Sequence, residues 1–216
     1  MADDEQPECV WDEYDWERFL QQQDRKTERY MELLDKYIDD PNRDQIIARE
    51  MGWHHLLDEE EEDDIDSRFS EEMKALEEAG ESPISMGEVE SFELHPLYQA
   101  SFMLTVWIDQ LFDELGDLQN HPAAVKLATQ SAIASAKLAA ALSDDDVDEI
   151  GMTIAYLKRA LKAVSNAMEA GLQLKKEINL SPERYATLSH RLFQIRDRII
   201  ALMGEFRSEW RRRYGA

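Results

Sequence analysis

Between residues 147 and 171, an apolar or small residue occupies every third or fourth position without interruption. Alternating spacings of three and four place successive side chains on one face of an α-helix, and the pattern lasts for more than three heptads. The positions on this face are Val147, Ile150, Ile154, Leu157, Leu161, Val164, Met168 and Gly171. The spacing therefore predicts a long helix with one buried face, which needs other helices to cover it.

Three further segments of the C-terminal half are predicted to be helical. Residues 97–118 and 185–206 repeat the same spacing, the first of them only if Ser101 is accepted on the apolar face. Residues 122–142 contain nine alanines, whose small side chains let two helix backbones approach closely.

The connections between these helices indicate how they are arranged. Ser181 can cap a helix and Pro182 suits its first turn, and the pairs His95-Pro96 and His121-Pro122 indicate similar helix starts. Loops of about three to ten residues between long helices force antiparallel neighbours. We therefore expect an all-α fold in which residues 95–216 form an up-down-up-down four-helix bundle, preceded by an acidic helical extension.

The charge of the chain is divided unequally. Residues 1–94 hold 32 acidic and 9 basic side chains, a net charge of −23, whereas residues 95–216 hold 15 of each sign. Such a step in composition usually marks a boundary, and Gly80, Pro83, Gly87 and Pro96 punctuate the sequence where it occurs. We therefore expect two regions, an extension over 1–94 and the bundle over 95–216.

Within the extension, the pattern predicts helices over about 12–38 and 44–53 and a short helix over 67–79. Residues 58–66 read DEEEEDDID, a run that repels itself and predicts a charged, solvated loop or a disordered segment. The aromatic side chains of the extension are many for its small aliphatic content, so they should dock on the bundle or on a partner chain. The partner-binding candidates are Trp11, Trp16, Trp53, Glu60, Glu61, Glu62 and Asp63.

Several functional classes are disfavoured. A net charge of −23 opposes binding to a phosphate backbone, and no glycine spacing matches a dinucleotide fingerprint or a P-loop. We expect no nucleic acid, membrane or cofactor as a partner. The acidic start lacks the features of a secretory signal, and the single cysteine, Cys9, fits a reducing compartment, so we expect a cytoplasmic protein.

The favoured hypothesis is a non-enzymatic helical interaction or scaffold protein that offers an acidic surface to a basic protein partner, or associates with itself as a homodimer. The alternative is a metal-dependent hydrolase of small phosphorylated or nucleotide substrates, with a carboxylate cluster in the bundle and His95 or His121 beside it. The cluster would consist of Asp109, Asp113, Glu114 and Asp117.

Two metal-binding patterns were weighed beside these hypotheses. Glu50 and His54 are four residues apart and could share a helix face, although an ion pair at the end of a helix explains them better than a metal site does. Glu90, Glu93, Glu114 and Asp117 have spacings similar to those of the all-α nucleotide pyrophosphohydrolases, which hold magnesium with four carboxylates. That family needs the two pairs on facing helices, whereas Glu90 and Glu93 precede Pro96, so no function is transferred.

Overall fold

The computed structural model describes residues 10–53, 91–116, 120–143, 149–178 and 180–215, and in these ranges the protein is all-helical, with six α-helices and no strand. The prediction of an all-α fold is confirmed. None of the helices in this part of the chain has the length and apolarity to cross a membrane. The helices are α1 (Glu13–Tyr37), α2 (Arg43–Met51), α3 (Pro96–Leu115), α4 (Pro122–Leu142), α5 (Ile150–Glu177) and α6 (Pro182–Tyr214), with a 3-10 turn at Ser91–Leu94.

The chain divides into two compact units. Among the described residues, 10–18 belong to one unit with 91–215, and 19–53 belong to the other. Helix α1 thus contributes its first six residues to the first unit and the rest to the second. The predicted division at residues 94 and 95 stays a prediction, but the start of the acidic segment groups with the C-terminal helices.

Three helices begin where the sequence predicts. His95 and His121 cap α3 and α4, because Nδ1 of each accepts a hydrogen bond at 3.2 Å from the backbone N–H two residues on. Ser181 caps α6, where its Oγ accepts from the N–H of Arg184 at 3.3 Å. In all three a proline follows the cap, at a position whose missing N–H leaves no intrahelical bond unmade.

Helices α3–α6 share one apolar core. Helix α5 packs against both α4 and α6, and α3 packs against α4 and α6. Because α5 has neighbours on more than one side, its buried face is wider than the face predicted from the heptad spacing. Leu161 and Met168 of the predicted face are only half-buried, whereas four alanines outside it are buried, namely Ala160, Ala163, Ala167 and Ala170.

Small residues bring the helices of this core close together. A Cβ at Gly171 of α5 would lie 2.9 Å from Cδ2 of Leu188 of α6. In α4, Ala123, Ala124, Ala134 and Ala141 are buried in the same core. The close helix contact predicted for the alanine-rich segment is present.

One polar cluster interrupts the apolar core between α3 and α4. Ser101, the residue that breaks the apolar spacing, is 1% exposed, and its Oγ lies 2.8 Å from Oγ of Ser135. Thr105 Oγ1 lies 3.4 Å from the same hydroxyl. Because a hydroxyl can both donate and accept, the pair satisfies a group that would otherwise be costly to bury.

The second unit, over 19–53, has a small apolar centre. Leu33 of α1 and Ile47 and Ala48 of α2 are buried in it. Trp53 stacks on Tyr30, with ring centroids 5.8 Å apart. Helix α2 ends at Gly52, which has a φ of 77°, a conformation that glycine adopts without strain.

Candidate functional site

The start of α1 is held by a reciprocal cap. Oδ1 of Asp12 accepts hydrogen bonds from the backbone N–H groups of Tyr14 and Asp15, at 2.7 and 2.9 Å. Asp15 accepts one in return, from the backbone N–H of Asp12 at 3.2 Å. That bond, followed by the hydrogen bond from Arg18, lowers the pKa of Asp15 from its ordinary value. The hydrogen bond from Asp12 to Asp15 is therefore strongest when the Asp15 carboxyl is ionised.

Two tryptophans flank this cap. Trp11 precedes Asp12 and Trp16 follows it by one helical turn, and their rings meet edge to face with centroids 4.9 Å apart. An apolar pair at these two positions is a hydrophobic staple, which fixes the direction in which the chain enters the helix. Residues 11–17 therefore form a rigid helix start, which we call the latch.

The latch lies directly on the first turn of α5. A Cβ at Gly151 would be 2.5 Å from the carbonyl oxygen of Trp11, 3.0 Å from the carbonyl carbon of Asp12 and 3.0 Å from Cδ1 of Trp16. Two of these three atoms are backbone, so they cannot move aside unless the latch itself moves. The contact therefore requires glycine at position 151.

Three basic side chains receive the glutamates of the latch. We call Lys158 and Arg159 of α5 together with Arg207 of α6 the basic face. Glu13, 13% exposed, accepts hydrogen bonds from Arg207 Nη2 at 2.9 Å and Nε at 3.2 Å. Lys158 Nζ lies 3.9 Å from the same carboxylate.

The second glutamate makes a separate pair. Arg159 Nε donates to Glu17 Oε2 at 3.1 Å, and the two side chains are 13% and 23% exposed. Lys158 Nζ also lies 4.5 Å from the ring centroid of Tyr14, within the range of a cation–π contact. Because these charges are partly removed from water, they contribute more than exposed surface pairs do.

The latch leaves space at one side. A pocket of about 200 Å³ lies between it and the end of α6, and Trp210 is among the residues that line it. Nε1 of Trp210 is buried and has no acceptor within the described ranges. The lining residues are Asp12, Glu13, Tyr14, Ile154, Arg207, Trp210 and Arg211.

The remaining partner-binding candidates lie elsewhere. Trp53 is in the second unit, stacked on Tyr30. Glu60, Glu61, Glu62 and Asp63 lie outside the described residues. Of the predicted group, the structure therefore brings together Trp11 and Trp16, and partner binding by any of these residues stays a prediction.

The carboxylates of the hydrolase alternative do not converge where the structure describes them. Asp109 and Asp113 are exposed, and Glu114 pairs with Arg184 of α6. Asp117 lies outside the described residues. His95 and His121 cap helices through Nδ1, and His121 Nε2 lies 3.4 Å from Glu177. The alternative stays a prediction without geometric support from these positions.

The other metal-binding pattern is also incomplete. Glu50 is exposed and lies 3.5 Å from Arg29, while His54 is outside the described residues. Across the described ranges, no three His, Cys, Asp or Glu side chains are placed to share a metal ion.

Of the residues of this site, the sequence analysis singled out Trp11 and Trp16 but not Gly151, Lys158 and Arg159 of α5. These three residues lie off the apolar face that predicted the helix, so the spacing gave no reason to single them out. Two signals in the sequence could have indicated this site. Asp12 and Asp15 have the spacing of a capping box with a tryptophan on each side, and Lys158-Arg159 is a pair of adjacent basic residues outside the apolar face of its helix.

No protein-family model, curated protein or solved structure matches this chain.

Proposed function

We propose that this protein is a non-enzymatic helical interaction or scaffold protein, whose acidic N-terminal region binds a basic protein partner. The observation that carries the proposal is the exposure of apolar side chains at the start of the acidic region. Val10 is 46% exposed, Trp11 44% and Tyr14 61%. Large aromatic side chains left in water beside acidic ones are typical of a surface that is completed by a partner.

We further propose that α3–α6 form the up-down-up-down four-helix bundle and that residues 1–94 are its acidic extension. Three things support this arrangement. The consecutive pairs α3–α4, α4–α5 and α5–α6 pack together, α3 also packs on α6, and the connections between these helices are short. The single cysteine supports a cytoplasmic location.

The proposed partner is recognised by charge. The extension carries the whole excess of negative charge, so a protein with a basic surface would be drawn to it, and its affinity would fall steeply with added salt. Trp11 and Tyr14 would supply the apolar contact that salt does not weaken.

Charge neutralisation in the full-length chain tests this proposal. The test variant is Glu60→Gln, Glu61→Gln, Glu62→Gln and Asp63→Asn. Its matched control removes four charges from exposed carboxylates of the C-terminal half, through Asp109→Asn, Asp113→Asn, Glu183→Gln and Glu205→Gln. We expect basic proteins captured from a cell extract by the wild type to be retained by the control and reduced about tenfold by the test variant. Equal capture by both variants would contradict the proposal.

A further inference from the structure

The latch is matched in five ways to the basic face and to Gly151 of α5. Glu13 faces Arg207, Glu17 faces Arg159, Lys158 lies over Tyr14, and Trp11 and Trp16 meet the bare backbone at Gly151. A match of this kind selects an acidic helix start with tryptophans at both ends of its first turn. The chain's own residues 11–17 have that chemistry, and the same residues in a second copy have it equally.

The contact has the properties of one that opens. Its charged pairs are only partly removed from water: the Arg207 side chain is 41% exposed and that of Glu17 is 23% exposed, whereas those of Glu13 and Arg159 are each 13% exposed. Trp11 and Tyr14 remain 44% and 61% exposed while the latch is closed, and a pocket of about 200 Å³ lies beside Trp210. A contact made by so few residues can open at a smaller free energy than the core needs to unfold.

We propose that the basic face is a binding site for the latch of a second copy of this chain, so that two copies exchange residues 11–17. When two copies exchange their latches, every contact that the closed latch makes within one chain is made between the two copies instead, so no new interface is needed. This proposal rests on the charged pairs of the latch. It shares the exposed Trp11 and Tyr14 with the basic partner proposed above, but its test changes none of the four carboxylates that test that partner.

Two opposing terms set the conditions under which exchange is seen. Within one chain the latch competes at an effective concentration of about millimolar, so the wild type at micromolar concentration closes on itself. Two copies that each carry a charge of −23 also repel, and at about 0.15 M salt a Debye length of roughly 8 Å screens that repulsion. Exchange is therefore best tested after substitutions have prevented the latch from binding within its own chain.

Charge reversal in the full-length chain does this. The first variant reverses the basic face through Arg159→Glu and Arg207→Glu, and the second reverses the latch through Glu13→Arg and Glu17→Arg. Neither can close on itself, because like charges meet in each. When the two are mixed, the acidic latch of the first meets the basic face of the second, and the reversed latch of the second meets the reversed face of the first.

The expected result in analytical ultracentrifugation at about 0.15 M salt is a one-to-one heterodimer, with a Kd at least tenfold lower than that of either variant with itself. A chain with all four reversals should return to the behaviour of the wild type, because its charges again match within one copy. If either double variant fails to fold by circular dichroism, the single changes Arg159→Glu and Glu17→Arg pose the same question with one pair. A mixture that stays monomeric, while the fourfold variant recovers, would overturn the proposal and leave a latch that closes only within its own chain.

Discussion

Helices α1 and α5 are similar in length, 25 and 28 residues, yet α5 buries twelve of its residues and α1 buries two. Helix α5 is specified along its whole length by small and apolar side chains that face α4 and α6. The described contacts of the latch with α5 and α6 depend on three ion pairs, two tryptophans and one glycine. The first kind of contact resists opening because many side chains act together, and we expect the second to be lost more easily because few side chains make it.

The largest expected effect concerns the buried face of α5. Leu157→Ala removes a side chain that is 0% exposed and should cost about 2–5 kcal/mol of the free energy of unfolding, because the cavity cannot fully collapse. Leu172→Ala is the matched control in the same helix, since Leu172 is 40% exposed. It should cost less than about 1 kcal/mol in chemical denaturation. Equal losses would mean that α5 is not the centre of the core.

A smaller effect tests the cap at the start of α3. His95 Nδ1 accepts a hydrogen bond from the backbone N–H of Leu97, so His95→Ala leaves that N–H without its side-chain acceptor. The variant should lose about 0.5–2 kcal/mol of the free energy of unfolding in chemical denaturation, whereas His95→Ser, which keeps an acceptor, should lose less. His190→Ala is the control, because His190 is exposed and lies within α6; an equal loss there would refute the capping explanation.

Alanine substitutions at two glycines distinguish the contact of the latch from the packing of the core. In Gly204→Ala the new Cβ meets nothing within 4 Å, so the loss of backbone freedom in the unfolded chain should stabilise the protein by about 0.5–1 kcal/mol. In Gly151→Ala the new Cβ would overlap the backbone of Trp11 and Asp12 and should displace the latch. Hydrogen exchange should then quicken at the amides of residues 13–18 and stay unchanged in α4. Unchanged protection of residues 13–18 would show that Gly151 does not seat the latch.

The smallest effect lies at the exposed end of α6. Hydrogen bonds from Arg212 and then from Arg213 lower the pKa of Glu209 to about 2 from 4.5. Because the pKa is lower in the folded state, the stabilisation is present above pH 4.5 and is lost as the pH falls from there towards about 2. An NMR titration of the glutamate side chains should show this, and Arg212→Gln with Arg213→Gln should return the pKa towards its ordinary value. A pKa that does not move in the double variant would contradict the assignment to these arginines.

Much of the fold was predictable from local pattern. Helices expected over about 12–38 and 44–53 are found at Glu13–Tyr37 and Arg43–Met51, and the starts after His95, His121 and Ser181 are confirmed. Starts are predictable because a cap and a proline act within one turn. The short helix expected over 67–79 and the charged segment 58–66 lie outside the described residues.

The site was less predictable, because its parts are distant along the chain. The sequence identified Trp11 and Trp16 as candidate contact residues from their chemistry, but their position against Gly151 depends on how the start of α1 packs on α5. Asp109 could have turned inward only if the apolar face of α3 had been covered on that side, and it is exposed. Long-range pairing is not encoded in the spacing of residues along a single helix.

By itself, the sequence determined that this protein is helical and where three of its core helices begin, since heptad spacing, caps and prolines act over a few residues. Only the tertiary structure decided which side chains of α5 are buried, because the approach of α4 and α6 from different sides covers Ala160 and Ala167 and leaves Leu161 half-buried. It also decided that Glu13 and Glu17, two members of a strongly acidic region, meet Arg207 and Arg159. The physical reason is that charge attraction selects a partner only among the groups that packing has already brought within a few ångströms.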